Sequence, residues 1–311
     1  MHDLVVRNAR IIDGSGSPEF SGDLAVSDGR ITSVGEVDGR SQRELDVDGQ
    51  LLLPGWVDIH THYDGQATWD PEMTPSSWHG VTTAIFGNCG VGFAPVRPGT
   101  EDFLINLMEG VEDIPGTVLA EGIDFSWQSY PEYLDVLESM PRVMDIGSQI
   151  PHGALRFFVM GERGADHLEV PTSDELSQLE HLICEALEAG ALGFSTSRTT
   201  KHKAADGRLT PSLSAGDPEL TAIATAMRDA KAGVLQVNSD FGPGEFEALR
   251  GAAEISQRPL SALIIQVDHA PDLWRQTLRQ IGKANEEGVA ATGQVGCRPI
   301  RVLLGLDATV N

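Results

Sequence analysis

The apolar positions of the first fifty residues form short runs that alternate with turn residues. Asp-Gly pairs at residues 13–14 and 28–29 separate several of these runs, and this dipeptide favours tight turns between strands. The pattern predicts a small antiparallel β module, of the β-sandwich kind, over residues 1–50. Its β-rich runs lie at residues 4–6, 9–12, 23–26 and 30–34.

From residue 51 onward the pattern predicts strands that alternate with helices. Between two of the strands, for example, Leu176, Leu179 and Ile183 recur at helical spacing. Such alternation is typical of a parallel sheet or barrel built from βα units. We therefore predict an α/β protein with a TIM-like (β/α) barrel over residues 51–311. Its strands are predicted at residues 51–60, 81–88, 143–151, 191–197, 233–239, 260–268 and 289–295.

A closed (β/α)₈ barrel needs eight units, and the pattern supplies seven. Residues 298–311 are too few for a further helix and an eighth strand, so we expect an incomplete barrel; an open sheet or a seven-unit arrangement is the alternative. Exposed strand edges would favour association, and a homo-oligomer is compatible with this arrangement. A longer insertion at residues 95–142 is predicted to carry two helices over the barrel mouth.

Composition narrows the classes of partner. Asp and Glu number 46 against 22 Lys and Arg, which gives a formal net charge of −24. This charge repels phosphate backbones and anionic headgroups, so we expect neither a nucleic acid nor a membrane as partner. No run of 18 apolar residues and no secretory signal pattern occurs, and three cysteines are an odd number. We expect a cytoplasmic protein.

The segment PGWVDIHTH, residues 54–62, carries the strongest chemical signal. Strand periodicity places Asp58, His60 and His62 on one face at the end of an apolar run. At the carboxyl end of a barrel strand, two neutral imidazoles can hold a divalent metal at about 2.0–2.1 Å. Two polar surface histidines are the alternative interpretation.

A cysteine follows the next predicted strand. Cys89 lies between glycines in the segment GNCG, residues 87–90, at the same end of the predicted barrel. A thiolate there would favour Zn²⁺ over harder cations such as Mg²⁺. An isolated buried cysteine that acts as a small apolar side chain is the alternative.

These motifs resemble the amidohydrolase superfamily. The PGWVDIHTH segment resembles the superfamily as a whole, and GNCG resembles its N-acyl-D-amino-acid deacylase, or D-aminoacylase, branch. The resemblance extends to residues 151–156, 159–161 and 190–197, and so covers most of residues 1–300. It implies a hydrolase that holds one or two Zn²⁺ ions, with the cysteine in the metal-bridging position.

The resemblance also implies further ligands and a catalytic base. One histidine is expected on the fifth strand, where Asn238 stands instead, and one on the sixth, where His269 fits; a turn-capping role for His269 is the alternative. The base is expected to be an aspartate on an eighth strand. Asp307 follows the seventh strand too closely to be that aspartate, so we assign no catalytic residue and expect the base beyond the end of the chain.

Three further polar residues are candidates for contacting substrate. His152 and Arg156 follow the third predicted strand, and Arg156 could pair with a substrate carboxylate through two hydrogen bonds. Ser197 ends the fourth strand. A hydrogen-bond network within the loop and packing inside the barrel are the alternatives for these residues.

The predicted function is hydrolysis of the amide bond of N-acyl-D-amino acids by metal-activated water, with a small-molecule substrate. One alternative is a cyclic-amide hydrolase of the hydantoinase or dihydroorotase type. The absence of a lysine at the end of the fourth strand, where residues 195–197 read Ser-Thr-Ser, argues against it. The other alternative is a catalytically inactive barrel with a binding role.

Overall fold

The computed structural model describes residues 1–297. The chain divides into two compact units. The first comprises Met1–Trp56, and the second starts at Val57. The N-terminal unit contains one sheet in the order β3-β2-β1-β4, and β5 also pairs with β1. Its strands are β1 (His2–Ile11), β2 (Phe20–Ser27), β3 (Arg30–Gly35), β4 (Ser41–Asp46) and β5 (Leu51–Leu52).

The pairing in this sheet is mixed. The pairs β1-β2 and β2-β3 are antiparallel, as the Asp-Gly turns predict. Strands β4 and β5 instead run parallel to β1, because the chain crosses to the other edge of β1 before it extends again. Residues 51–52 therefore belong to this sheet. The expectation of purely antiparallel pairing is wrong for these two strands.

The second unit holds the predicted series of strands. Its sheets have the orders β6-β7-β8 and β13-β12-β11-β10-β9, and every assigned pair from β7 to β13 is parallel. Only Gln149 separates β8 from β9, so these two segments together make the third predicted strand. The strands are β6 (Trp56–Asp58), β7 (Val81–Phe86), β8 (Asp145–Ser148), β9 (Ile150–Pro151), β10 (Gly193–Arg198), β11 (Val234–Ser239), β12 (Leu260–Leu263) and β13 (Ala291–Gln294).

Two of the predicted strands are shorter than the sequence indicates. The first, expected at 51–60, is interrupted at Pro54 and Gly55 and leaves only β6 in the second unit. Proline has no backbone donor for a ladder, which explains the interruption. The sixth, expected at 260–268, ends at Leu263, and the chain then turns at a bridge between Val267 and Ala270.

Helices follow the strands from β7 onward, and the insertion at residues 95–142 holds three of them where two are predicted. The clearest start is at α5, where Thr172 and Glu175 form a reciprocal capping box. No described helix is long and apolar enough to cross a membrane. The helices are α1 (Glu101–Glu112), α2 (Gly116–Gly122), α3 (Tyr130–Ser139), α4 (His152–Met160), α5 (Ser173–Ala189), α6 (Asp217–Ala230), α7 (Glu245–Ser256) and α8 (Leu273–Glu286).

The apolar faces of these helices pack on the strands in a single large core. Leu179 and Ile183 of α5 are fully buried, as are Phe194 of β10 and Leu260 of β12. The strands of this core run in parallel, so their carboxyl ends meet at one edge. Residues that follow β6, β7, β10 and β11 therefore come together there.

Candidate metal centre

Three predicted ligands lie together at this edge. His60 and His62 follow β6, and Cys89 follows β7. The Nε2 atom of His60 lies 3.2 Å from Sγ of Cys89. One donor atom from each of the three residues lies within 4.8 Å of the others. The side chains can thus converge on one point after small rotations.

The segment GNCG forms a left-handed turn that presents the thiol. Cys89 has φ 55°, and the glycines on either side of the Asn-Cys pair have φ 73° and 68°. A Cβ atom on Gly87 would lie 2.1 Å from the carbonyl oxygen of Gln149, so this position requires glycine. The backbone N–H of Cys89 donates to Oε1 of Gln236, at 3.0 Å, and fixes the turn on β11.

A neighbouring amide orients His60. The Nδ1 atom of His60 lies 2.8 Å from Oε1 of Gln294, at the end of β13. An amide oxygen only accepts hydrogen bonds, so the imidazole proton is on Nδ1. The lone pair of Nε2 consequently points towards Cys89. Such support of a histidine through its second nitrogen is typical of metal sites.

Two further donors, which sequence reasoning missed, join the cluster. Glu112 ends α1, and its Oε1 lies 3.1 Å from Nε2 of His62. His202 follows β10, and its donor atom lies within 4.8 Å of those of Cys89 and Glu112. His202 comes four residues after the end of the barrel strand β10. That position was the available signal, whereas nothing in the sequence distinguished Glu112.

Asn238, at the position of an expected histidine, also lies at the cluster. Its Nδ2 atom lies 3.7 Å from Sγ of Cys89 and 3.2 Å from Nε2 of His202. The amide therefore occupies the place that the resemblance assigns to a ligand, and an imidazole from another segment lies directly beside it.

Burial sets the charge state of these groups. It lowers the pKa of His60, places that of His62 well below its ordinary range, and lowers the pKa of His202 to about 4. Burial also raises the pKa of the Cys89 thiol far above its ordinary value and that of Glu112 to about 8. The imidazoles are thus neutral donors, and the acids lack a compensating cation.

This donor set fits a divalent metal. The Nδ1 atom of His62 is buried without a hydrogen-bond partner among the described residues. A bound cation would stabilise the ionised thiol and carboxyl groups that burial alone disfavours. A set of imidazole, thiolate and carboxylate donors is characteristic of zinc sites.

His269 lies in neither group of donors. Because β12 ends at Leu263, the strand does not extend far enough to carry His269 to the cluster. His269 instead lines a cavity of about 360 Å³ at the ends of β10, β11 and β12, and its predicted role as a ligand is not supported by this placement. Other residues that line the cavity are Lys201, Asp240, Phe241, Ile264 and Trp274.

Arg156 and His152 are buried in a network of their own. The guanidinium of Arg156 donates to Oε2 of Glu219 at 2.6 Å, and His152 contacts the other carboxylate oxygen at 2.9 Å. All three side chains are at most 2% exposed. The expectation that Arg156 and His152 contact substrate is therefore wrong in this structure, because Glu219 already occupies the guanidinium. The alternative interpretation, in which these residues form an internal hydrogen-bond network, agrees with their contacts.

Ser197 lies at the edge of the candidate centre. Its Oγ atom is 3.0 Å from Nδ1 of His202, so it contacts a cluster residue. Its contact with substrate stays a prediction. Asp307 lies outside the described residues.

The sequence pattern of the amidohydrolase family matches residues 43–309 of the chain. The chain belongs to the amidohydrolase family. Within it, a D-aminoacylase of Alcaligenes xylosoxydans xylosoxydans is 31% identical over 195 residues, which cover 62% of this chain and 37% of that protein. The N-acyl-D-aspartate deacylase of the same organism is 33% identical over 195 residues, with coverages of 62% and 36%. The aligned part of the chain covers about a third of the length of these curated relatives.

Solved amidohydrolase structures share the fold. A D-aminoacylase crystal structure superimposes with a TM-score of 0.76 at 24% identity, over 95% of this chain and 58% of that one. An N-acyl-D-glutamate deacylase from Bordetella bronchiseptica, complexed with zinc and a phosphonate inhibitor, gives 0.75 at 23% identity over 94% and 58%. The predicted barrel fold and the resemblance to D-aminoacylases are confirmed.

Proposed function

We propose that this amidohydrolase binds zinc and hydrolyses the amide bond of N-acyl-D-amino acids. The observation that carries the proposal is the convergence of the His60, His62 and Cys89 donor atoms within 4.8 Å. Two relatives support the substrate class, a D-aminoacylase that is 31% identical and an N-acyl-D-aspartate deacylase that is 33% identical to this chain, each over 195 residues.

The donor chemistry supports zinc. A thiolate is a soft ligand that favours Zn²⁺ over Mg²⁺ or Ca²⁺, and His60 and His62 are suitable borderline ligands. When bound, the metal would polarise the amide carbonyl and lower the pKa of a water molecule. The three cysteines of the chain are unpaired, which also supports a reducing, cytoplasmic location.

The protein's own residues keep the donors ready for the metal. Gln294 holds the proton of His60 on Nδ1, and Gln236 holds the turn that carries Cys89. The donors are partly or fully buried, which strengthens electrostatic interactions in the site. The donors are therefore arranged before the metal binds, so that little reorganisation is needed.

The cavity at the ends of β10, β11 and β12 has a size suited to a small acyl amino acid. Its volume of about 360 Å³ falls within the range of small-molecule sites. Phe241, Ile264 and Trp274 give it an apolar wall, and the half-exposed ammonium of Lys201, which is paired with Asp240 at 2.8 Å, is its cation. Because the whole chain carries a net charge of −24, a local cation is needed to attract a carboxylate substrate. We propose that the substrate carboxylate approaches Lys201.

Asn238 favours the alternative of a catalytically inactive barrel with a binding role. An amide is a weaker zinc ligand than an imidazole, so the replacement of the expected histidine could leave a centre that binds ligand without turnover. The hydantoinase alternative has no such observation in its favour.

A direct assay tests the proposal. The zinc-loaded chain is incubated with N-acetyl-D-leucine, N-acetyl-D-aspartate and N-acetyl-D-glutamate, and release of the free amino acid is measured. The L-enantiomers and the Cys89→Ser variant are matched controls. We expect slow release from at least one D-substrate, dependent on Cys89 and on zinc, because no residue is assigned as the base and the lack of a positioned base lowers the rate by about 10²- to 10⁴-fold. Thermal stabilisation by these compounds with no release would support the inactive barrel, and absence of bound zinc would contradict the proposal altogether.

A further inference from the structure

We propose that Asn88 and Ser195 are positioning residues that hold the thiol of Cys89 in place against the imidazoles of His60 and His62. We call the side chains of Asn88 and Ser195 the clamp. The inference rests on the proposed function, because a thiol held beside two imidazoles serves zinc binding. Both clamp side chains are fully buried, and neither belongs to the groups of donors that could hold a metal.

Ser195 closes the GNCG turn from the neighbouring part of the sheet. Its hydroxyl accepts a hydrogen bond from the backbone N–H of Gly90 at 2.9 Å and donates one to the carbonyl oxygen of Gly87. One oxygen atom of β10 therefore binds both ends of a turn that follows β7. Gln236, the register partner of Ser195 on β11, accepts from the N–H of Cys89 between these two ends. The turn is thus fixed from two strands at once.

Asn88 connects the same turn to the segment that carries the two histidines. Its Nδ2 group donates to the carbonyl oxygens of Thr61, at 3.2 Å, and of Ile85, at 3.0 Å. Its Oδ1 atom accepts from Nε2 of Gln149 at 2.8 Å. Thr61 lies between the two histidines in the chain, and Asn88 directly precedes Cys89. A shift of the thiol relative to the imidazoles would therefore break bonds of a fully buried amide, which is costly.

The turn needs this support because its backbone conformation is unfavourable for cysteine. Cys89 has φ 55°, in the left-handed region that few residues other than Gly, Asn and Asp adopt without cost. The bonds of the clamp offset that cost. Without them, the backbone can relax towards a conformation that cysteine prefers, and the thiol would leave its contact of 3.2 Å with Nε2 of His60. The clamp thus links the conformation of the turn to the position of the donor atom.

A second buried serine makes the same kinds of hydrogen bond away from the centre. The hydroxyl of Ser256 accepts from the backbone N–H of Arg258 at 3.2 Å and donates to the carbonyl oxygen of Ala253 at 3.1 Å. Ser256 is buried like Ser195. It ends α7 shortly before β12 begins, so it lies near the amino ends of the strands, opposite the edge that holds the donors. Ser256→Ala is therefore a matched control for Ser195→Ala.

Thiol labelling and metal binding test the inference together on the 311-residue chain. In metal-free Ser195→Ala, iodoacetamide should label Cys89 about tenfold faster than in wild type, because the turn opens more often. Zinc affinity, measured by competition with a zinc-binding dye, should fall by about 10- to 100-fold. After loading with Co²⁺, the sulfur-to-cobalt charge-transfer absorption should weaken. Ser256→Ala should lower the urea midpoint by a similar amount but leave labelling, affinity and absorption at their wild-type values.

Asn88→Ala tests the other half of the clamp. Its control is Asn285→Ala, because the amide of Asn285 also donates to two carbonyl oxygens, those of Ile281 and Ala291, and accepts one N–H. These bonds join α8 to the start of β13, away from the donors. We expect Asn88→Ala to lower zinc affinity by about 10- to 100-fold and Asn285→Ala to leave it unchanged. If Asn88→Ala does not fold, Ser195→Ala decides the inference.

The outcomes separate the inference from the proposed function. Equal labelling rates and equal zinc affinities in Ser195→Ala and Ser256→Ala overturn the clamp and leave the proposed function standing. Absence of bound zinc in the wild type contradicts the proposed function. Labelling of the metal-free proteins then still decides whether the clamp holds the thiol, because it needs no metal. Faster labelling of Cys89 in Ser195→Ala alone supports the clamp in either case.

Discussion

His60 and Gln294 join the first and the seventh strands of the barrel series through one hydrogen bond of 2.8 Å. The bond comes from the last residue of β13 and fixes the imidazole of a proposed ligand. Gln294→Ala should lower zinc affinity by about 10- to 100-fold, since the ring loses its orientation and its tautomer is no longer fixed. Competition with a zinc-binding dye measures the change.

Two control variants refine this prediction. Gln294→Glu keeps an acceptor at the same place and should retain most of the affinity. Gln276→Ala removes an exposed glutamine from α8 and should leave affinity unchanged. Equal affinity in Gln294→Ala and wild type would show that the bond is not needed to orient the ring.

Two helical glycines should respond in opposite directions to alanine. Gly282 in α8 faces open space, so Gly282→Ala should stabilise the protein by about 0.5–1 kcal/mol through helix propensity. Gly110→Ala instead forces a methyl group against the backbone of the loop that carries His202, and should destabilise it by about 1–3 kcal/mol. Urea unfolding measures both changes. Equal stabilisation by the two substitutions would contradict the close contact.

The buried network around Glu219 should dominate the stability of α4 and α6. Glu219→Gln leaves the buried charge of Arg156 without an opposite charge. Because an unpaired buried charge is strongly destabilising, the substitution should lower the free energy of unfolding by about 3 kcal/mol. Glu254→Gln removes an exposed partner of Arg250 and should change it by no more than about 0.5 kcal/mol. Equal losses of unfolding free energy in the two variants would show that burial does not increase the contribution of the Arg156–Glu219 pair.

The same network should depend on pH. Burial opposes ionisation of Glu219, but His152 and Arg156 outweigh it and hold the pKa of the carboxyl below its ordinary value. A lowered pKa stabilises the folded state above the ordinary value of about 4.5, and this contribution is lost as pH falls below it. The difference in unfolding free energy between wild type and Glu219→Gln should therefore shrink as pH falls from 6 to 3. A constant difference would exclude the charged pair as its source.

Lys201 should affect substrate binding more than turnover. Its ammonium lies 2.8 Å from Asp240 at the cavity wall and is half exposed. If it attracts the substrate carboxylate, Lys201→Met should raise KM about tenfold, with a smaller effect on kcat. Lys283→Met removes an exposed lysine of α8 and serves as the control for net charge. An unchanged KM would place the carboxylate elsewhere.

The cysteines should differ in their reactivity towards iodoacetamide. Cys297 is exposed, whereas Cys89 is buried and its thiol pKa is raised well above the ordinary value. In the metal-free folded protein, we expect Cys89 to react about 100-fold more slowly than Cys297, since it must wait for local opening. Mass spectrometry of the alkylated peptides measures the ratio. Rapid labelling of Cys89 would show that the site is open to solvent.

The sequence predicts a site residue correctly where the position of that residue depends only on the strand that precedes it. His60, His62 and Cys89 each follow a strand that the pattern predicts, and the carboxyl ends of parallel strands share one edge. The fold followed from the same alternation of strands and helices. Strand bounds were less certain, since Pro54 and the early end of β12 depend on local backbone bonding that the apolar pattern does not reveal.

Other parts of the centre depend on contacts between distant segments. Glu112 reaches His62 only because α1 packs over the strand ends, and His202 approaches Cys89 only because its loop docks on that helix. Arg156 was misjudged for the same reason, since its partner Glu219 is 63 residues away in the chain. Separations of this kind leave no periodic trace in the sequence.

In the turn at residues 87–90, different residues determine the backbone conformation and the donor atom. The glycines determine the backbone path, whereas the thiol of Cys89 alone provides the donor. A single nucleotide change from cysteine to serine would therefore remove the donor and leave the fold intact. If the centre holds zinc as proposed, loss of the metal is one mutational step away from this sequence, and so is its recovery.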